Sequence, residues 1–264
     1  MTRVTSKDGV EIAFEKFGRG PALILVGGAL SDRNGGKSLA ARLSDHFTVY
    51  TLDRRGRGDS TDAKTYAVER EIEDLAALVE HAGGSAFLYG ASSGAALALQ
   101  TAAKLGAAKV PKLALYEPPY GSADEKQKQE FAEQKRQTNN LIKTGQPGDA
   151  AAYFLTAIGI PSETLEKMKA SPQWEVFKQI DFTLAYDYEV LGNGTVPQTI
   201  AQAIAVPTLV MDGQNSLEFM HATADQLAQL IPNAERKTLA GQTHQAEPEA
   251  TAPVLIEFFQ RSRP

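Results

Sequence analysis

The run Gly90-Ala91-Ser92-Ser93-Gly94 carries the clearest chemical meaning in the chain. A serine at the centre of Gly-x-Ser-x-Gly, with a short apolar run before it and an alanine-rich run after it, fits a sharp strand-to-helix turn that presents a hydroxyl. Small residues at 90 and 94 let the backbone close up, and the helix that follows aims its free N–H groups at the place where negative charge would develop. The chemistry is nucleophilic attack by Ser92. Ser93, at the helix start, serves better through its backbone N–H, as an oxyanion donor.

The elements that must position this turn are legible on both sides of it. Ala22 to Val26, Thr48 to Leu52 and Ala86 to Tyr89 are short apolar runs bounded by turn residues, as expected for strands buried on both faces. Lys112 to Tyr116, Pro207 to Met211 and Glu235 to Leu239 continue the series, and residues 2 to 17 read as an opening antiparallel hairpin around Asp8-Gly9. Helical spacing covers Ala67 to His81, Gly94 to Leu105 and a closing segment from Ala250 to Arg261. Alternating strands and helices predict an α/β protein with a mostly parallel sheet. Between Tyr120 and Val206 the alternation stops, and helices are expected over Asp124 to Lys143, Asp149 to Ile158, Ser162 to Ala170 and Gln173 to Asp187. The expected division is a core of residues 1–120 and 207–264 with a helical cap inserted at 121–206.

Composition narrows the class of function. Of the 264 residues, 42% are apolar and 22% charged, ordinary for a globular protein, and no stretch approaches the roughly 20 apolar residues needed to span a bilayer. A formal net charge of −5 argues against nucleic acid as a partner, because phosphate binding needs a concentrated basic surface. Without cysteine there is no disulfide framework, no thiolate metal site and no cysteine nucleophile. Met1-Thr2-Arg3-Val4 lacks the apolar region of a signal peptide, so cytoplasmic residence is expected.

With strand, elbow and helix in this order, the chain resembles the α/β-hydrolase family, and the resemblance covers everything but the cap. Asp53-Arg54-Arg55-Gly56-Arg57-Gly58-Asp59-Ser60 looks like the family's loop after the fourth strand, where its role is structural. The resemblance implies an eight-stranded, mostly parallel sheet flanked by helices, with the cap inserted. After the third strand the family usually has His-Gly; here the stretch is Val26-Gly27-Gly28-Ala29-Leu30, with Gly27 in the histidine's place. Oxyanion stabilisation uses backbone N–H groups, so Gly28 or Ala29 can still supply the second donor beside Ser93.

The family carries its general base in a short loop after the last strand, and of the four histidines only His244, in Gly241-Gln242-Thr243-His244, lies there. The order serine before histidine agrees. The acid departs from the commonest pattern. After the strand ending at Met211 the family usually reads Gly-x-x-Asp, whereas this chain has Gly213-Gln214-Asn215-Ser216. A histidine base needs a carboxylate to fix its tautomer and to favour the imidazolium formed during attack. Glu117, in Tyr116-Glu117-Pro118-Pro119-Tyr120 at the end of the sixth strand, is the favoured candidate, and Asp212 at the end of the seventh strand is the alternative. Zearalenone lactonases and certain lipases take the acid from the sixth strand, and the former are similar in having a Ser-Ser elbow.

The expected reaction is acyl transfer to Ser92 with His244 as general base, followed by hydrolysis of the acyl-enzyme, with no metal or organic cofactor required. The cap holds most of the aromatic residues, and Tyr120, Tyr153 and Trp174 are the candidates to contact a small apolar or aromatic ester or lactone. Other activities on the same scaffold are carbon–carbon hydrolysis, cofactor-free perhydrolysis or cyclisation. A non-catalytic receptor for a small hydrophobic ligand is the reading from a different class.

Overall fold

Asp8-Gly9 turns the chain between β1 (Thr2–Thr5) and β2 (Glu11–Phe17), which pair antiparallel with Thr5 opposite Glu11. Gly9 has φ 90°, a conformation open to glycine without cost. The computed structural model describes residues 2–261; Met1, at the start that lacks a signal peptide's apolar region, and residues 262–264 of the expected core lie outside them. The chain continues through β3 (Ala22–Val26), α1 (Lys37–Leu43), β4 (Thr48–Leu52), α2 (Val68–His81), β5 (Phe87–Ala91), α3 (Ser93–Leu105) and β6 (Leu113–Tyr116).

Six helices then intervene before the sheet resumes: α4 (Glu125–Thr144), α5 (Asp149–Ala157), α6 (Ser162–Lys169), α7 (Pro172–Ile180), α8 (Leu184–Val190) and α9 (Gln198–Gln202). The last elements are β7 (Thr208–Gly213), α10 (Glu218–Leu230), β8 (Ala234–Leu239) and α11 (Pro248–Gln260).

The eight strands form one sheet in the order β1-β2-β4-β3-β5-β6-β7-β8. β2 meets β4 antiparallel, and from β4 to β8 every neighbour is parallel. Period-two alternation sends the two faces of each strand into separate apolar layers. Ile24, Val26, Leu88, Leu115 and Val210 pack with α2, α3 and α10 on one side, while Leu23, Leu25, Ala114 and Met211 pack with α1 and α11 on the other. The chain leaves β3 for β4 on one side and crosses back to β5 on the other. Between β3 and β5 the strand order therefore reverses, and α/β sheets bind ligands outside the carboxyl ends of their strands at such a point.

The helices between β6 and β7 are closed at their base by a parallel bridge, Gly121 with Thr195, where the Gly121 N–H donates to the Gly194 carbonyl at 2.7 Å. Asp124 caps α4 by accepting from the Gln127 N–H at 2.9 Å, and only Thr138 along that helix is buried, so its charges form a solvated face. The single helix expected over Gln173 to Asp187 is instead broken into α7, a 3-10 turn at Asp181–Thr183, and α8. Side chains there compete with the helix for backbone groups: Thr183 Oγ1 donates to the Ile180 carbonyl at 2.6 Å, and the Asp181 carboxylate accepts from the Gly148 N–H at 2.8 Å.

Candidate active site

β5 ends at Ala91 and α3 begins at Ser93, so one residue must reverse the chain, and Ser92 does so with φ 56° and ψ −131°. Such a conformation strains any side-chain-bearing residue and persists only where its surroundings enforce it. Here the Ser92 N–H donates to the Tyr116 carbonyl at 2.9 Å, and the Ser92 carbonyl accepts from the Ala95 N–H at 2.9 Å. The flanking glycines make room. A Cβ on Gly90 would lie 2.4 Å from the Gly94 carbonyl oxygen, and one on Gly94 would lie 2.2 Å from the oxygen of Val26 and 2.5 Å from that of Gly27. Both obstacles on Gly94 are backbone and cannot swing aside. Gly94→Ala is therefore expected to lower unfolding free energy by about 3 kcal/mol, the upper end for overpacking, measured by urea denaturation.

Three non-glycine residues have positive φ among the described residues: Leu30 at 53°, Ser92 at 56° and Glu117 at 46°. They follow the carboxyl ends of β3, β5 and β6, three neighbouring parallel strands. Backbone strain of this kind gathers where a site must be held in one geometry.

The loop after β3 presses on Ser92 so closely that a Cβ on Gly28 would lie 2.8 Å from the Ser92 Cβ. The Gly28 carbonyl accepts from Arg57 Nη1 at 2.6 Å and from Ser31 Oγ at 2.7 Å. Because a trans peptide holds its C=O and N–H on opposite sides, this fixes the Ala29 N–H away from the guanidinium. Among the described residues the N–H groups of Gly28, Ala29 and Ser93 have no hydrogen-bond partner. Of the two donors expected from this loop, Ala29 is the one whose direction is set by the bonds to Gly28.

Glu117 is fully buried and spends both carboxylate oxygens. Oε1 accepts from the Gly213 N–H at 2.6 Å, and Oε2 pairs with His244 Nδ1 at 2.6 Å. Burial works against ionisation, but the His244 ring and the Gly213 N–H hold the carboxyl below its ordinary pKa. An ionised Glu117 makes Nδ1 the donor and leaves Nε2 as the acceptor. The His244 side chain is 38% exposed, and its Nε2 has no hydrogen-bond partner among the described residues. Ala91 stands opposite Tyr116 in the β5–β6 register, which sets Ser92 beside Glu117 at the usual strand spacing of about 4.8 Å. Ser92 Oγ has no hydrogen-bond partner among the described residues; such contacts often tighten only around a bound substrate.

Asp212 does not reach His244. It shares its pleat with Val210, on the α10 side of the sheet, and its carboxylate takes Arg236 Nη1 at 2.7 Å, Arg236 Nη2 at 2.6 Å and the His221 ring. The alternation of β7 thus removes the alternative acid from the candidate triad. His221 gains from Asp212 a pKa above its usual value. A raised histidine pKa contributes stability that is complete below the unfolded value of about 6.5 and is lost as pH rises through the folded one. Asp212→Asn is accordingly expected to cost about 3 kcal/mol at pH 6, as for breaking a buried ion pair, and less at pH 9, measured by urea denaturation at each pH.

The three aromatic candidates fall in different places. Tyr120 is 1% exposed and belongs to the main core with Val190 and Val196, so it offers no open surface to a ligand. This corrects its expected role: the chain turns inward after Pro118-Pro119, and the Tyr120 carbonyl is tied to the Thr223 hydroxyl. Trp174 packs edge-on against Phe177 within the apolar cluster that joins α5 and α7 to Leu30 and Ala29. Tyr153 is half-buried on α5.

Behind the elbow lies a group of buried charges, Arg54, Arg57, Glu71 and Asp187. The Asp53 to Ser60 loop reads as structural, and Arg55 fits that role through Asp8 and Asp74. Arg54 and Arg57 instead point to Asp187 on α8 and to the backbone beside Ser92. Their local signal, two arginines at i and i+3 in a glycine-rich loop, says nothing about a partner 130 and 133 residues away.

The sequence profile of the alpha/beta hydrolase family matches residues 23–254. N-formylmaleamate deformylase from Pseudomonas putida is 35% identical over 118 residues, 43% of this chain and 44% of that protein. 2-(Acetamidomethylene)succinate hydrolase from Mesorhizobium japonicum is 37% identical over 89 residues, 33% of this chain and 32% of that protein. The chain therefore aligns with less than half the length of these curated relatives. Among solved structures, an alpha/beta hydrolase from Sphaerobacter thermophilus superposes with a TM-score of 0.89 and 46% identity, covering 98% of this chain and all of that one. The enol-lactonase from Burkholderia xenovorans has a TM-score of 0.80 at 21% identity over 98% and 100% of the two chains, a likeness of fold.

Proposed function

Since the chain belongs to the alpha/beta hydrolase family, we propose that it is a serine hydrolase cleaving a small apolar or aromatic ester or lactone through Ser92, His244 and Glu117. The observation that carries this reading is the 2.6 Å bond from buried Glu117 to His244 Nδ1, formed beside a serine held in a strained elbow. In the reaction Ser92 Oγ attacks the carbonyl carbon while His244 Nε2 takes its proton, with Glu117 stabilising the imidazolium. The oxyanion rests on the N–H groups of Ser93 and Ala29. His244 then gives the proton to the leaving alkoxide, and water, deprotonated by the same nitrogen, releases the acid.

Residues 121–206 act in this reading as the cap that shapes the substrate cleft. Its apolar cluster, with Leu155, Trp174, Phe177 and Ile180, packs directly on Leu30 and Ala29 of the oxyanion loop, which favours an uncharged acyl group over a sugar or peptide. A second reading, cleavage of an activated amide by the same residues, is favoured by the partial likeness to the deformylase.

The test is incubation with a fluorophosphonate probe followed by intact-mass analysis of wild type and Ser92→Ala. One adduct on wild type and none on the variant supports the reading; an unmodified wild type that turns over neither p-nitrophenyl butyrate nor a formamide overturns it. Relative rates on the ester and the formamide choose between the two substrate classes.

A further inference from the structure

Asp187 sits on α8, in the segment between β6 and β7, yet its side chain ends directly behind the elbow and is almost wholly buried. Oδ1 accepts from Ser93 Oγ at 2.7 Å, from Arg54 Nη1 at 2.7 Å and from Arg57 Nη2 at 2.9 Å, and Oδ2 accepts from Arg57 Nη2 at 2.9 Å. Arg57 continues through Nη1 to the Gly28 carbonyl. Arg54 is paired on its other edge with Glu71, at 2.7 Å for both bonds, so two buried cations face two buried carboxylates. Arg57 and Arg54 keep the Asp187 carboxyl below its ordinary pKa despite its burial.

One carboxylate thereby reaches both halves of the candidate oxyanion hole. Through the Ser93 hydroxyl it holds the residue whose N–H is the first donor. Through Arg57 it holds the peptide whose N–H, that of Ala29, is the second. Buried ion groups of this kind add little stability over an apolar core of the same shape. What this one does add is direction: the Gly28–Ala29 peptide cannot flip without giving up the guanidinium.

Resting on the serine-hydrolase reading above, we propose that Asp187 is a positioning residue that sets the two oxyanion N–H groups from the α8 side, so that the hole is complete only while α8 is seated against the elbow.

The experiment compares p-nitrophenyl butyrate with its thiono analogue, in which sulfur replaces the carbonyl oxygen. Sulfur is larger and a poorer acceptor, so a well-placed hole discriminates strongly in favour of oxygen, and a misplaced one does not. Asp187→Asn is expected to lose about a hundredfold in kcat on the oxygen ester with KM within about threefold, as for loss of one oxyanion donor. Its oxygen-to-sulfur ratio of kcat/KM should fall by about tenfold or more. Arg57→Met combined with Asp187→Asn keeps the buried charges balanced, and Ser93→Ala removes one link with no change of charge; both should lower the same ratio. A general loss of rate with the ratio unchanged in Ser93→Ala and in whichever charge variant folds would make the network merely structural and overturn the inference. In that case wild-type turnover and probe labelling would leave the hydrolase reading standing. An inactive, unlabelled wild type would instead overturn both.

Discussion

On the serine-hydrolase reading, Glu117→Gln is expected to lower kcat on an ester by about a thousandfold to ten-thousandfold, as when a triad acid loses its charge and the histidine its tautomer. The glutamine side chain fills the same space, but both groups around it are donors: the Gly213 N–H on one oxygen and His244 Nδ1 on the other. An amide has one oxygen to offer. If it serves Gly213, its NH2 group faces Nδ1, which must then accept, and the proton moves to Nε2, the atom that has to take the proton of Ser92. If it serves His244, the amide donors face a backbone N–H in a buried site, which costs about 1–3 kcal/mol.

The variant also tests the ionisation of Glu117. A carboxyl with a depressed folded pKa contributes stability that is complete above its unfolded value and is lost as pH falls through the folded one. Wild type should therefore lose more stability than Glu117→Gln between pH 5 and about pH 2, measured by urea unfolding at each pH. Equal acid slopes, or turnover by Glu117→Gln close to wild type, would remove Glu117 from the triad.

Ser92→Gly is expected to lower activity by about a millionfold, as for loss of a nucleophile in a serine hydrolase, and nevertheless to stabilise the fold relative to Ser92→Ala. At an ordinary position glycine is less stable than alanine by about 0.5–1 kcal/mol, because the unfolded chain gains more freedom. At φ 56° and ψ −131° the order reverses, since alanine keeps a Cβ in a region that costs about 1–3 kcal/mol. The glycine variant should exceed the alanine variant by about 1 kcal/mol or more in unfolding free energy, both being inactive. Finding alanine the more stable of the two would mean that the elbow is not strained.

Residue order made much of the sheet readable. Short apolar runs between turn residues give strands in any chain of this kind, and each strand read from residues 22–26, 48–52 and 112–116 onward has its counterpart in β3, β4 and β6. The elbow was readable from its own few residues: Gly90 is required by Gly94 and Ala95, which the turn itself brings near, whereas the reason for Gly94, the Val26 and Gly27 oxygens, lies on the neighbouring strand end and appears only in the fold. The break between α7 and α8 was not readable, because it depends on Asp181 reaching Gly148 across 33 residues.

The acid shows the boundary most clearly. Two carboxylates, Glu117 and Asp212, stand at the ends of adjacent strands, and sequence alone names both. The pleat of β7 turns Asp212 to Arg236 and His221, while Glu117, at φ 46°, turns its carboxylate to Gly213 and His244. Local sequence thus determined which residues have the chemistry and which turn presents Ser92, because those features rest on neighbours along the chain. Which carboxylate meets His244, and that Asp187 stands behind the elbow, was decided by tertiary structure. Side-chain direction depends on register and on partners more than 90 residues away, and no local pattern encodes either.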